Sequence, residues 1–397
     1  MSNLAQRIKA LSEEAYDDVL AIRHHIHAHP ELSFQEHNTA KFIEEKLTEF
    51  GINNYQRIGE TGVTFCLDGK ERGKTVALRA DIDALPIPEQ NEVPYKSKNE
   101  GVMHACGHDV HTASLLGAAK ILHQLREDFS GTIKFIFQPG EEKSPGGASI
   151  LIKEGILKNP EPATILGQHV MPLIPEGQVG FRKGKYMASA DEVYLTIQGK
   201  GGHAAMPENF VDPIAITSQI IVSLQHVVSR MANPKIPSVL SFGKISGGNV
   251  NNVIPNEVKV EGTFRTFDET WRRKALDRIR AIATSVASSM GASCQVEFAP
   301  GYPFLQNDDA YTERNIQAAK DYLGEENVLE LDLWMAAEDF AFYTHEVPGC
   351  FYRLGTRNEA EGITSGVHTP TFNIDEKALK TGMGLLSYLT VEELRNT

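Results

Sequence analysis

Cysteine is scarce and scattered in this chain: Cys66, Cys106, Cys294 and Cys350 are the only four, and no two are close in sequence. No paired disulfide spacing emerges, and a chain this long buries enough core to fold without such staples. Basic residues are outnumbered, with 39 Lys and Arg against 52 Asp and Glu and a formal net charge of −13. Binding to phosphate backbones needs a positive surface, so this balance argues against a nucleic-acid partner. No stretch of the sequence approaches the ~20 apolar residues of a membrane span. The polar opening MSNLAQRIKALSEEAYDDVL lacks the apolar run of a secretory signal. The expected compartment is therefore the cytoplasm, with no membrane partner.

Present instead is an ordinary globular composition, 41% hydrophobic and 23% charged over 397 residues. That length suits two domains of ~100–200 residues. Helical periodicity covers 3–27, ending near Pro30, and 36–50, stopped by Gly51. Short apolar runs follow at GVTFCL (62–67), TVALRA (75–80), TIKFIF (132–137) and ATILGQH (163–169), with a helical stretch at 110–124. Strands alternating with helices predict an α/β domain whose central, largely parallel sheet is flanked by helices. The middle of the chain changes character. DEVYLTIQ (191–198) alternates apolar and polar residues. A helix is predicted over 211–231, strands over 237–245 and 253–267, a helix over 269–290 and a strand over 293–299. This β-α-β-β-α-β order is the ferredoxin-like pattern. The expected organisation is a catalytic domain of residues 1–185 and 301–397, interrupted by an inserted domain of residues 186–300. A helix over 309–323, a strand over 349–355 and a helix over 376–393 complete the first domain.

Candidate chemistry concentrates at strand ends. HACGHDVH sets Cys106 two residues before His108, on a predicted loop ahead of the helix from Val110. A thiolate and an imidazole at that spacing suit one metal ion, although a lone Cys-x-His also reads as a buried thiol beside incidental histidines. QPGEEKSPGG follows the strand TIKFIF and presents Glu141 and Glu142 consecutively. Adjacent carboxylates point apart, so one can hold a metal while the other faces substrate as a general base. Two exposed acids in a loop are the plainer alternative. His169 ends ATILGQH, and His368 lies in GVHTP before the last helix. Asp81 and Asp83 in LRADIDALP are placed to orient ligand histidines from behind. Ligands collect at the carboxyl ends of the strands in an open α/β sheet, which is where these sets fall. The run HHIHAHPE, with His24, His25, His27 and His29, reads as structural, because cations are favoured at a helix C-terminus. In the middle domain, GKGGHAAMP carries His203, SGGNVNNVIP carries Asn249, Asn251 and Asn252, and VEGTFRTF carries Arg265. Turn and strand solvation accounts for each of these equally well.

HPELSFQE, LRADIDALP, MHACGHDVH, QPGEE, GKGGHAAMP, NVIP, GTFRTFD and MAAEDFAFY occur in this order, with GVHTP following. Together they resemble the aminoacylase-like amidohydrolases, the group of hippurate hydrolase, N-acyl-L-amino acid amidohydrolase, N-acetyldiaminopimelate deacetylase and the plant auxin-conjugate hydrolases. The resemblance spans nearly the whole chain. It implies a metal-dependent amidohydrolase with two divalent metal ions, acting on a small-molecule N-acyl amino acid, with an inserted lid domain that pairs subunits into a homodimer. By that resemblance Cys106, His108, Glu142, His169 and His368 are the metal ligands and Glu141 is the general base. His203 and Asn251 come from the lid, His203 as an oxyanion stabiliser, and Arg265 holds the substrate carboxylate. The wider superfamily, with carboxypeptidase G and the succinyl-diaminopimelate desuccinylases, has a histidine where this chain has Asp81, and lacks the cysteine. Thiolate and imidazole favour zinc, nickel or cobalt, whereas manganese is often assigned in the aminoacylase-like branch.

Two rival readings share these residues. A dipeptidase or carboxypeptidase on the same scaffold differs only in its pocket. A non-catalytic binding protein of the same fold has no reason to keep every ligand together with Glu141. A structural zinc site is a poorer match, since such sites present four closed, cysteine-rich ligands and only Cys106 is suitably placed.

Overall fold

Strands buried on both faces need helices on both sides, and the apolar runs of the first half obey that rule. In the computed structural model, which describes residues 3–396, Thr75–Asp81 is buried throughout and Thr132–Gln138 at every position but its first. The two pair in parallel, and Thr164–Pro175 pairs in parallel with the other side of Thr75–Asp81. Gly349–Arg357 extends the parallel set. Gly62–Asp68 and Gln56–Ile58 add antiparallel strands at one edge, and Val179–Phe181 and Val328–Glu330 finish the other, for eight strands in all. Helices Asn3–Ala28, His108–Gln124 and Ala378–Arg395 pack on one another. Their apolar faces join the strands in one core through Ile8, Val19, Leu116, Met383 and Leu386. Burial of each such side chain is worth ~1.5–3 kcal/mol.

This α/β unit runs to Tyr186 and resumes over Gln306–Asp332 and from Asp339 onward. The second unit comprises Met187–Leu305 and Leu333–Glu338. It has a four-stranded antiparallel sheet in the order Ser238–Ser246, Glu257–Thr266, Asp191–Gln198, Ser293–Pro300. Helices Pro213–His226 and Glu269–Ser289 cover the face that carries Val193, Leu195, Ile197, Val258, Val260 and Phe264. Asp212 and Asp268 cap the two helices by accepting backbone N–H groups of the first turn. Leu333–Glu338 groups with this unit because Ala188 N–H donates to the carbonyls of Trp334 and Ala336.

Three local expectations change. The strand predicted over 253–267 is split: Val253–Ile254 pairs with Gly202–His203, and Glu257–Thr266 joins the main sheet. Pro255 lies at the break, and proline cannot donate to a ladder. The helix predicted over 211–231 is α-helical only over Pro213–His226 and ends in a π-turn, Val227–Met231. His108 lies in the first turn of its helix, not on the loop before it. Residues 1, 2 and 397, at the ends of the expected catalytic domain, lie outside the described residues. Among the described residues, no helix is long and apolar enough to cross a membrane.

Candidate active site

Parallel strands deliver their carboxyl ends to one edge, and in the α/β unit that edge carries the polar residues. Thr75–Asp81 ends at Asp81, with Asp83 just beyond. Thr132–Gln138 leads into the loop bearing Glu141 and Glu142, and Thr164–Pro175 carries His169. Helix His108–Gln124 opens on His108. Gly107, at its N-cap, has φ +83°, and a Cβ there would stand 2.5 Å from Val170 Cγ2. Only glycine fits that turn, which places Cys106 and His108 on the same side.

The structure brings the five predicted ligands together within this unit. Donor atoms of Cys106, His108 and His169 lie within 4.8 Å of one another, as do those of Cys106, Glu142 and His368. Cys106 Sγ is 3.4 Å from His169 Nε2 and 3.3 Å from His368 Nε2. His368 Nε2 is 3.2 Å from Glu142 Oε1. His368 has φ +61° and is fixed by its N–H bond to the Ala105 carbonyl. Glu141 joins His108 and Glu142 in a further group, and its Oε1 accepts the Asp339 N–H at 3.4 Å.

The supporting contacts assign different tasks to the two aspartates. Asp83 Oδ1 is 3.1 Å from His108 Nδ1, which leaves Nε2 of that ring facing Glu142. Asp81 Oδ1 is 2.5 Å from His111 Nδ1, and His111 Nε2 accepts the Val170 N–H. Both nitrogens of His111 are thus spent, so the group of Asp81, His108 and His111 is no further cation site. His169 Nδ1 faces the Val170 carbonyl, turning Nε2 toward Cys106. Sequence reasoning missed Arg79 and Asp339. Arg79 bridges Asp81 and Asp339, both at 2.7 Å, with all three side chains fully buried. The signal was present as an arginine inside an apolar strand, TVALRA, where a charge has to find partners.

Charge in this pocket is unbalanced. Burial works against a charged His108, yet Asp81, Asp83 and Glu142 outweigh it and push the imidazole up to about 10. Burial, then Glu142, Glu141 and Asp81, hold the Cys106 thiol well above its ordinary range. Burial, with Arg353 and His111, pushes His169 down. Among the described residues, buried His108 Nε2 has no hydrogen-bond partner, and buried Glu142 Oε1 faces His368 Nε2 at 3.2 Å without a well-formed hydrogen bond. Buried polar atoms without partners are rare. A partnerless ring nitrogen, a carboxylate oxygen and a sulfur between two imidazoles, gathered amid excess negative charge, fit a pair of divalent cations.

The predicted residues of the second unit stand in its own frame. His203 is exposed, on the short strand Gly202–His203, opposite Val253. Its Nδ1 accepts the Ala205 N–H, so in the neutral ring Nε2 carries the proton. Asn251 is exposed in the turn leading to Val253. Arg265, half-buried on Glu257–Thr266, donates through Nη1 to the Met335 carbonyl. The histidine run near Pro30 is tied into structure: His27 Nδ1 is 2.8 Å from Asp109, and His25 stacks on Phe42.

Known proteins resemble this chain over most of its length. The profile of peptidase family M20/M25/M40 matches residues 77–392. The chain is 46% identical over 305 residues to an N-acyl-L-amino acid amidohydrolase of Geobacillus stearothermophilus, covering 77% of this chain and 82% of that one. It is 38% identical to thermostable carboxypeptidase 2 of Saccharolobus solfataricus, covering 96% of each. Among solved structures, a dinuclear metal-binding peptidase of the M20 family from Bacillus subtilis superposes with a TM-score of 0.84 at 36% identity, over 97% of this chain and 99% of that one. The resemblance seen in the motifs is borne out: the chain is a hydrolase and belongs to peptidase family M20/M25/M40.

Proposed function

We propose that the protein hydrolyses the amide bond of an N-acyl amino acid of the N-acetyl or N-benzoyl type, releasing a carboxylate and a free amino acid. Cys106, His108, Glu142, His169 and His368 would hold two divalent cations, with zinc, manganese, nickel and cobalt as candidates. Such a pair, when bound, supplies Lewis acidity and lowers the pKa of water. The observation that carries the reading is Glu141, a nearly buried carboxylate beside the ligand donors and outside both groups that meet at Cys106. That is where a base must sit to take a proton from the attacking water and return it to the leaving amine. The second unit would contribute His203, whose Nε2–H is available to an oxyanion, and Asn251 and Arg265 for substrate. Arg265 keeps donors beyond the one given to Met335, enough for a carboxylate fork.

The division into a catalytic domain of residues 1–185 and 301–397 and an insert of residues 186–300 serves the same reading, with the insert as the surface of a homodimer. Strand Ser238–Ser246 supports this as a free sheet edge with exposed Val239 and Ile245. Four free cysteines support a reducing cytoplasm.

The test is a panel of N-acetyl and N-benzoyl amino acids beside dipeptides, assayed at matched metal load. Preferential turnover of the N-acyl compounds is expected. The carboxypeptidase relative at 38% identity favours a second reading, peptide hydrolysis at the same site, and faster turnover of dipeptides would establish it in place of the first.

A further inference from the structure

The motif HPELSFQE has no task in the reading above, yet its second half bears directly on the loop of Glu141. Glu36 is fully buried. Its Oε1 accepts the N–H of Gly140 at 2.8 Å, and its Oε2 accepts the Thr61 hydroxyl at 2.7 Å. Gly140 immediately precedes Glu141. Two residues before Glu36, Phe34 adopts φ +64°, a left-handed conformation that phenylalanine rarely takes. Its ring covers Gly140 so closely that a Cβ there would fall 2.2 Å from Phe34 Cε1. Ser33 donates to Asp83 Oδ2 at 2.6 Å, and that same oxygen accepts the Glu142 N–H at 3.0 Å. Three of the four residues 33–36 therefore touch the catalytic loop or the aspartate that anchors it.

Local structure does not explain this arrangement. Glu36 occupies the N-cap of helix His37–Glu49, but its side chain makes no capping bond there. That duty falls to Glu31, whose carboxylate accepts the N–H groups of Asn38 at 3.2 Å and Thr39 at 2.8 Å. Glu36 is turned away from its own helix and toward Gly140. A buried carboxyl beside Asp83 is costly to ionise, since burial and that neighbouring charge both raise its pKa, and a strained aromatic beside it adds to the cost. Strain of this kind collects where geometry has to be held.

We propose that Glu36 and Phe34 are positioning residues for the general base: together they fix the main chain at Gly140 and so set where the Glu141 carboxylate points. The inference rests on Glu141 being the base. It predicts a loss in the chemical step rather than in substrate or metal binding, because misplacing a catalytic group by about 1 Å can cost roughly 100-fold in rate.

The experiment measures kcat, KM, metal content and thermal midpoint for full-length wild type, Glu36→Ala, Glu36→Gln, Phe34→Gly and Glu141→Gln. The substrate is the N-acyl amino acid that the wild type turns over fastest. Glu36→Ala should lower kcat by about tenfold or more with KM within about threefold and metal content unchanged. Glutamine keeps an acceptor for the Gly140 N–H, so Glu36→Gln should recover most of the lost kcat. Phe34→Gly relieves the backbone while removing the ring, and should lower kcat without lowering the thermal midpoint; it decides the matter if Glu36→Ala does not fold. The proposal is overturned if Glu36→Ala and Phe34→Gly keep the wild-type kcat, if glutamine fails to rescue, or if the loss follows metal content or KM. Full activity in Glu141→Gln would instead overturn the base assignment, whatever the Glu36 variants do.

Discussion

Asp83 reaches His108 with one oxygen and the main chain of Glu142 with the other, at 3.1 and 3.0 Å. One carboxylate thus orients two proposed ligands from different elements, a helix start and a loop. Replacing it by alanine frees the His108 ring to rotate and releases the loop at once. Loss of such a supporting partner typically costs about 10–100-fold in metal affinity. Titration of the apo-protein with a divalent cation should show that fall in Asp83→Ala and a smaller one in Asp83→Asn, which keeps an acceptor for Nδ1–H. Wild-type affinity in Asp83→Ala would remove the orienting role.

Arg79 carries a different burden. It is the cation between Asp81 and Asp339, and all three side chains are sealed from solvent. Arg79→Leu leaves Asp339 in the core without its cation, while Asp81 keeps His111. Breaking a buried pair from one side costs about 3–5 kcal/mol, read as a lower urea midpoint at unchanged slope. Burial already raises Asp339 to about 6 despite Arg79 and Gln138, so its proton is easily taken up once the arginine is gone. The destabilisation should accordingly shrink at acid pH, where Asp339 is neutral.

Much of this site was legible in the sequence, and the reason is chemical. Thiol, imidazole and carboxylate donors are conspicuous beside strand ends, and glycines mark the turns that bring them inward. The elements fared similarly: DEVYLTIQ forms its strand over the whole of Asp191–Gln198. What stayed hidden were contacts that depend on register and burial. The apolar run TVALRA marks Arg79 as a charge in need of partners, but nothing in it names Asp339, 260 positions away. Short strands such as Val179–Phe181 and Val328–Glu330 were also invisible, because three residues hold no period and exist only by pairing. The division of labour between Asp81 and Asp83 likewise needed coordinates, since both are strand-end acids in sequence.

The histidine run offers a stability test with a defined sign. Burial disfavours charged His27, but Asp109 outweighs it, and Glu89 adds to the effect, so its pKa is raised from 6.5. A raised imidazole contributes stability that is full below its unfolded value and is lost as pH rises through the folded one. The gap in unfolding free energy between wild type and His27→Gln should be widest near pH 6 and narrow above it. A gap that widens with rising pH would mean that His27 is neutral in the folded protein.

Cys106 is the donor shared by two three-residue groups, one completed by His108 and His169 and the other by Glu142 and His368. Its removal should therefore differ in kind from removal of a ligand that belongs to one group. Metal analysis after dialysis should find Cys106→Ala depleted of both ions. His169→Ala and His368→Ala should each retain close to one, because the donors of the opposite group stay intact. Serine should rescue Cys106 poorly, since an alkoxide is far harder to form at neutral pH than a thiolate and is a weaker ligand for borderline-soft cations. If Cys106→Ala kept two tightly bound ions, the sulfur would be a buried thiol among the ligands, and the two groups would have to be held by histidine and carboxylate alone.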